Sequence, residues 1–194
     1  MDMLTLEDKK ALLHIARSAI ENYLSAVDGS ASGGKDNIFD EEFPLTEALQ
    51  AKCGAFVTIK NKGELCGCIG LISSHQPLYK TVEEMAVSAA FRDTRFSPVS
   101  LQELPDIDLE ISVLSPFRPI KDVSEIEIGK HGLFIIQPPF QGLLLPQVAT
   151  ENNWDRQTFI KHTCFKAGLP AQAWKEKDTI IEIFSAEVFG EKDM

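Results

Sequence analysis

The chain has 194 residues, 44% hydrophobic and 25% charged, which is enough apolar material for one folded domain or two tightly joined lobes and too much for a disordered segment. Its formal charge of -10 argues against nucleic acid and anionic membranes as partners, because both present repelling phosphates. No apolar run approaches the roughly 20 residues of a membrane helix, the first residues lack a secretory pattern, and four cysteines are too few for a disulfide scaffold, so the expectation is a cytoplasmic protein with reduced thiols.

In chain order, Thr5 and Asp8 form a capping-box pattern, and Leu12, Ala16, Ile20 and Tyr23 or Leu24 recur at helical spacing. Asp28 and Gly29 stop that helix. Small residues over 29–37 read as a flexible surface linker, and an acidic, aromatic stretch follows over 36–43. A short helix over 47–52 leads into a strand over 55–60, a turn over 61–64 and a partner strand over 65–71, a hairpin by its chemistry. A second helix is expected over 78–92, with Val82, Ala86, Ala89 and Ala90 as a stripe of mostly small side chains.

Ser100 and Glu103 repeat the capping-box pattern, but Pro105 limits any helix there to one turn. Residues 107–114 alternate as a strand, with Ile107, Leu109, Ile111 and Val113 on one face. Gly129 and Gly132 bracket a turn holding His131. Strands follow over 133–136 and 143–145, with Gln147 placed at a strand end after Pro146. Asp155 is the expected N-cap of a third long helix, with Trp154 and Phe159 in staple positions and Gly168 and Pro170 as stop signals. A single strand over 179–189 closes the series. The elements intermix without a repeated βα unit, so the fold class is α+β, mainly antiparallel sheet packed with helices.

The segment Leu65-Cys66-Gly67-Cys68-Ile69-Gly70 departs from a generic strand. Glycines weaken a strand unless a bulge, a ligand or another backbone comes close. Alternation places Cys66 and Cys68 on one face, where a thiol can serve as nucleophile, redox group, metal ligand or simply core. A Cys-x-Cys pair supplies two ligands where zinc wants three or four, and no second pair has ligand spacing, so no metal site is expected. Arg92, Asp93 and Arg95 end the second helix, either as an ion-pair cluster fixing that end or as a cleft wall, with Arg95 suited to a carboxylate or phosphate. Glu110, on the polar face of its strand, is either a buried partner for one of those arginines or simply solvated. His131 has the chemistry for proton exchange at neutral pH, and Gln147 suits a polar ligand. No phosphate loop, dinucleotide fingerprint, paired-histidine zinc motif or nucleophile elbow is present, so the usual signatures of an enzyme are missing and the cofactor is left unknown.

These residues also carry a resemblance. The stretch from Ala55-Phe56-Val57-Thr58 through Leu65-Cys66-Gly67-Cys68-Ile69-Gly70 resembles the signature of the AMMECR-one domain family, in which an arginine precedes Gly-Cys-Ile-Gly. Further similarities follow in order at Ala89-Ala90-Phe91-Arg92-Asp93-Thr94-Arg95-Phe96, Leu109-Glu110-Ile111-Ser112-Val113-Leu114-Ser115, Leu145-Pro146-Gln147-Val148 and Lys166-Ala167-Gly168-Leu169-Pro170. Cys66 stands where the family has its arginine, so the carried-over role rests on Cys68 and the glycines. The resemblance implies a compact two-lobed α+β fold with the glycine-cysteine motif beside a groove. It also implies a pathway shared with a Memo-like protein and a radical-SAM protein, the system in which such a chain is called protein A.

Two functions stay open. One is an enzyme or cofactor-handling protein with Cys68 as a reactive thiol, Asp93 and His131 as catalytic helpers, and Gly67, Ile69, Gly70, Arg95 and Gln147 as binding residues. The other is a non-catalytic module that docks a peptide, a small ligand or a Memo-like partner in the same groove. Nucleic-acid-linked regulation is a distant third that the acidity opposes.

Overall fold

The computed structural model describes residues 4–29 and 44–194. Apart from Gly29, the expected linker and the acidic, aromatic stretch lie outside the described residues. The helices are α1 (Leu6–Val27), α2 (Glu47–Gln50), α3 (Leu78–Phe91), α4 (Pro146–Glu151) and α5 (Arg156–Lys166). The strands are β1 (Ala55–Asn61), β2 (Glu64–Leu71), β3 (Ile107–Leu114), β4 (Arg118–Pro119), β5 (Gly132–Gln137), β6 (Phe140–Leu144), β7 (Ile180–Phe184) and β8 (Ala186–Gly190). They form two four-stranded sheets, ordered β2-β1-β3-β8 and β4-β7-β5-β6. The fold is α+β, and β1 pairs antiparallel with β2 and β3, as β7 does with β4 and β5. Two compact units divide the chain, residues 1–113 with 187–194 and residues 114–186.

In the first unit, Thr5 and Asp8 close the expected capping box of α1. Asp8 is buried, and its second carboxylate oxygen accepts a 2.6 Å hydrogen bond from the Thr46 hydroxyl at the start of α2. Burial opposes that charge, but the bonds from Thr46 and Thr5 outweigh it and hold the carboxyl below its usual range. Ala55, Val57 and Ile59 of β1 alternate into the core with Ile107, Leu109, Ile111 and Val113 of β3, against Leu12, Ala16, Val82, Ala86 and Ala89 of the helices. Each fully buried Leu or Ile contributes about 1.5–3 kcal/mol. The small stripe of α3 has a visible purpose: a Cβ on Gly67 would lie 2.2 Å from the Ala89 carbonyl oxygen, so helix and strand meet backbone to backbone. Glu110 pairs with Lys60 on the neighbouring strand at 3.0 Å rather than with an arginine after α3.

In the second unit, α5 packs on β5 and β6 through Phe159, Ile160 and Cys164, against Leu133 and Ile135. Asp155 caps its start by accepting from the Thr158 amide at 2.8 Å. At its end Leu169 N donates to Cys164 O and Gly168 N to Phe165 O, with Gly168 at φ +77°, the Schellman arrangement. The strand expected over 179–189 is two: the chain leaves one sheet after Phe184 and enters the other at Ala186. Ser185 is fastened at this crossing, accepting from the Ser115 amide at 2.9 Å and donating its own amide to the Ser115 hydroxyl. Gln147 is on α4, not at a strand end, because Pro146 takes the first helical position where its missing N–H costs nothing. No helix among the described residues is long and apolar enough to cross a membrane.

Candidate functional site

The glycine-cysteine segment is β2, an edge strand of the first sheet. The hairpin turn has Lys62 at φ 52° and Gly63 at φ 91°, the two positive dihedrals a two-residue type I′ turn requires. From that turn Asn61 pairs with Glu64 and Lys60 with Leu65, and then the register slips, so that Ile59 faces Gly67 and Thr58 faces Cys68. Cys66 is the extra residue of a β-bulge.

The bulge separates the two cysteines that simple alternation puts on one face. Cys66 packs beside the core and lines a hollow of about 140 Å³ with Phe96, Val99 and Ile107. Cys68 shares the opposite face with Thr58, whose hydroxyl lies 3.3 Å from the Cys68 sulfur. Gly67 and Gly70 are explained by packing: the first by α3, the second by the Phe56 ring, which would meet a Cβ at 2.3 Å. Ile69 is half-buried against the first core.

An edge strand leaves backbone groups unpaired, and Asp93 and Arg95 satisfy those of Cys68. The Cys68 amide donates to Asp93 Oδ2 at 2.9 Å, and the Cys68 carbonyl accepts from Arg95 Nη2 at 3.1 Å. Arg95 also grips Asp93 with Nε to Oδ1 at 2.9 Å and Nη2 to Oδ2 at 2.7 Å, a bidentate pair. Arg95 N adds a bond to Asp93 Oδ1 at 3.2 Å, closing an Asx-type turn after α3. Asp93 is only 8% exposed. The hydrogen bonds from Arg95 outweigh burial, and with the Cys68 amide they hold its carboxyl well below the usual range. A carboxylate so saturated is a poor proton acceptor, which suits Asp93 to positioning. Arg95 is correspondingly raised by Asp93 and keeps 58% of its side chain exposed.

His131 and Gln147 lie in the second unit. The His131 ring locks its own turn: Glu127 N donates to His131 Nδ1 at 3.1 Å while His131 N donates to Glu127 O at 2.9 Å. Burial first, with Lys130 and Arg118, lowers its pKa against the opposing pull of Glu127. Gln147 Oε1 is shut off from solvent with no hydrogen-bond partner among the described residues. Among the described residues no three His, Cys, Asp or Glu side chains converge as a metal-ligand set, and all four cysteines are free thiols. Thr58 stands in the stretch that carries the family resemblance, but the sequence gives it no role at the site, where its hydroxyl meets the Cys68 sulfur.

The AMMECR1 family model matches residues 13–189. The chain belongs to the AMMECR1 family. Relatives in that family include protein MK0488 of Methanopyrus kandleri, 41% identical over 99% of this chain and 92% of that protein. Protein MJ0810 of Methanocaldococcus jannaschii is 40% identical over 98% of this chain and 94% of its own length. Among solved structures, uncharacterized protein PH0010 from Pyrococcus horikoshii superposes with a TM-score of 0.79 at 35% identity, covering 94% of this chain and 90% of that one. This AMMECR1 protein therefore shares its α+β architecture with an experimentally determined relative.

Proposed function

We propose that this AMMECR1 protein acts in the cytoplasm through Cys68, as a reactive thiol or ligand contact at the edge of the first sheet. We place it in a process shared with Memo-like and radical-SAM proteins. The observation that carries this reading is the clamp: Asp93 and Arg95 bond both backbone polar groups of Cys68 while its side chain stays half-exposed. Two charged side chains thus fix the backbone of one cysteine at the sheet edge, and its thiol is left half-exposed. Asp93 and Arg95 act as positioning residues. His131 and Gln147 belong to the second unit, His131 with its ring held by the Glu127 amide and Gln147 with a carboxamide oxygen that has no hydrogen-bond partner among the described residues.

Site-resolved alkylation of the folded protein against pH, read by mass spectrometry, tests it. Cys68 should react faster than Cys66 and faster than a thiol in the urea-unfolded chain, and Arg95→Gln should slow it. A Cys68 that stays protected until the protein unfolds removes the thiol reading.

A binding module is the second reading. It is favoured by the side-chain partner of Cys68, the Thr58 hydroxyl, which is no base. On that reading Cys68→Ala binds a purified Memo-like protein as tightly as the parent, whereas Arg95→Glu does not.

A further inference from the structure

In an acidic protein one helix face runs against the average. Residues 156–166 hold Arg156, Lys161 and Lys166 and no Asp or Glu. Arg156 is committed, its Nε donating to the Ile126 carbonyl at 2.9 Å. Lys161 and Lys166 are exposed and have no ion-pair partner among the described residues. Helical spacing sets Lys161 beside Phe165 and His162 beside Lys166, while Phe159, Ile160, Thr163 and Cys164 turn into the core.

The rings on this face are ordered. Trp154 stacks on His162 at 4.0 Å and 13°, and His162 meets Phe165 edge-on at 5.7 Å and 90°. Phe165 nevertheless leaves 51% of its surface in water. Phe140, at the start of β6, leaves 50% exposed beside the Gly168 turn that ends α5. The fit between β6 and α5 is tight, since a Cβ on Gly142 would lie 2.3 Å from Ala167 N. Phe165, with Lys161 one turn before it and Lys166 next to it, gives an exposed ring with charges at its margin, and Phe140 adds a second half-bare ring at the turn that ends the helix.

We propose that this face of the second unit, Phe140, Lys161, Phe165 and Lys166, binds a short acidic segment of another polypeptide that inserts an apolar side chain between flanking carboxylates. Charge complementarity selects the occupant. At physiological salt, screening over about 8 Å lets a ligand here feel the two lysines more than the distant net charge of -10. Single-stranded nucleic acid fits less well. It needs open ring faces for base stacking, and Trp154 and His162 already spend one on each other.

The test is titration of the full-length, isotope-labelled protein with a synthetic 12-residue peptide of Asp and Glu around a central Phe-x-x-Leu. Amide shifts report the site and fluorescence anisotropy the affinity. The expected result is perturbation centred on residues 161–168, with about tenfold weaker binding for Lys161→Glu with Lys166→Glu. The milder Lys161→Gln with Lys166→Gln and Phe165→Ser should each give about threefold, with helix content checked by circular dichroism. Four outcomes overturn the proposal: no saturable binding of the peptide, affinity unchanged by all three variants, equal binding of the same peptide with Lys for every acid, or tighter binding of oligothymidylate or phosphatidylserine vesicles than of the peptide.

Discussion

The two halves of β2 sit one residue apart and live in different environments. The half next to the turn, Glu64 and Leu65, is exposed and ends at Cys66 over a small hollow. The half beyond the bulge is pressed by α3 at Gly67, clamped by Asp93 and Arg95 at Cys68 and covered by Phe56 at Gly70. The bulge makes the difference. Continued evenly from the turn, the register would set Cys68 opposite Val57, which is buried in the core; the extra residue sets it opposite Thr58 instead. One inserted residue therefore converts a core cysteine into a presented one.

That comparison can be broken by substitutions graded by how tightly each position is held. Gly67→Val should have the largest effect, about 3 kcal/mol or more of lost stability in urea unfolding, because its side chain meets helix backbone that cannot swing aside. Asp93→Ala should follow at about 2 kcal/mol, since it orphans the Cys68 amide and the Arg95 guanidinium, discounted because Arg95 is more than half exposed. Thr58→Val should cost under about 1 kcal/mol and act mainly on the alkylation rate of Cys68. Cys66→Ser should be the mildest, under about 0.5 kcal/mol at its half-exposed site. If Cys66→Ser proved as costly as Asp93→Ala, the two halves would not differ as described.

Acid sharpens the contrast. Asp93 titrates near about 3.9 when unfolded and well below that when folded, mainly through Arg95. The unfolded chain then binds more protons, so stability rises with pH. The clamp's contribution is complete above the unfolded value and drains away as pH falls below it. Stability measured from pH 5 down to pH 2 should fall less steeply in Asp93→Asn than in the parent, with Asp8 supplying a remaining slope of the same sign. The buried Cys53, whose thiol burial pushes up to about 11, should stay unalkylated at pH 8 whatever happens at Cys68.

Much of this was legible in the sequence where the cause is local. The capping box at Thr5 and Asp8, the cap at Asp155, the stop at Gly168, the turn at Lys62-Gly63 and the alternation of β3 each depend on residues a few positions apart. Gly67, Cys68, Asp93 and Arg95 were marked as unusual, but not as partners, because 25 residues separate the Cys68 amide from the carboxylate it meets. The glycines of β2 named a bulge as one of three explanations, but the extra residue could not be placed, since any of several positions can supply it. Glu110 went to Lys60 because the register of β1 against β3 sets Thr58 and Lys60 beside it, which composition cannot announce. The break at Ser185 was hidden by uninterrupted strand formers on either side.

The two Ser115–Ser185 hydrogen bonds mark where the chain leaves the first unit and where it comes back. Because β8 completes the first sheet from beyond residue 186, that sheet is unfinished for as long as residues 114–186 are still being made. On a ribosome the second unit, continuous in sequence, can close before the first does, with β3 waiting as a temporary open edge. Glu191 then docks on the Leu109 amide and Arg17, joining late-made chain to early-made chain. The unit made mostly first is thus the one whose sheet is completed by the last residues of the chain.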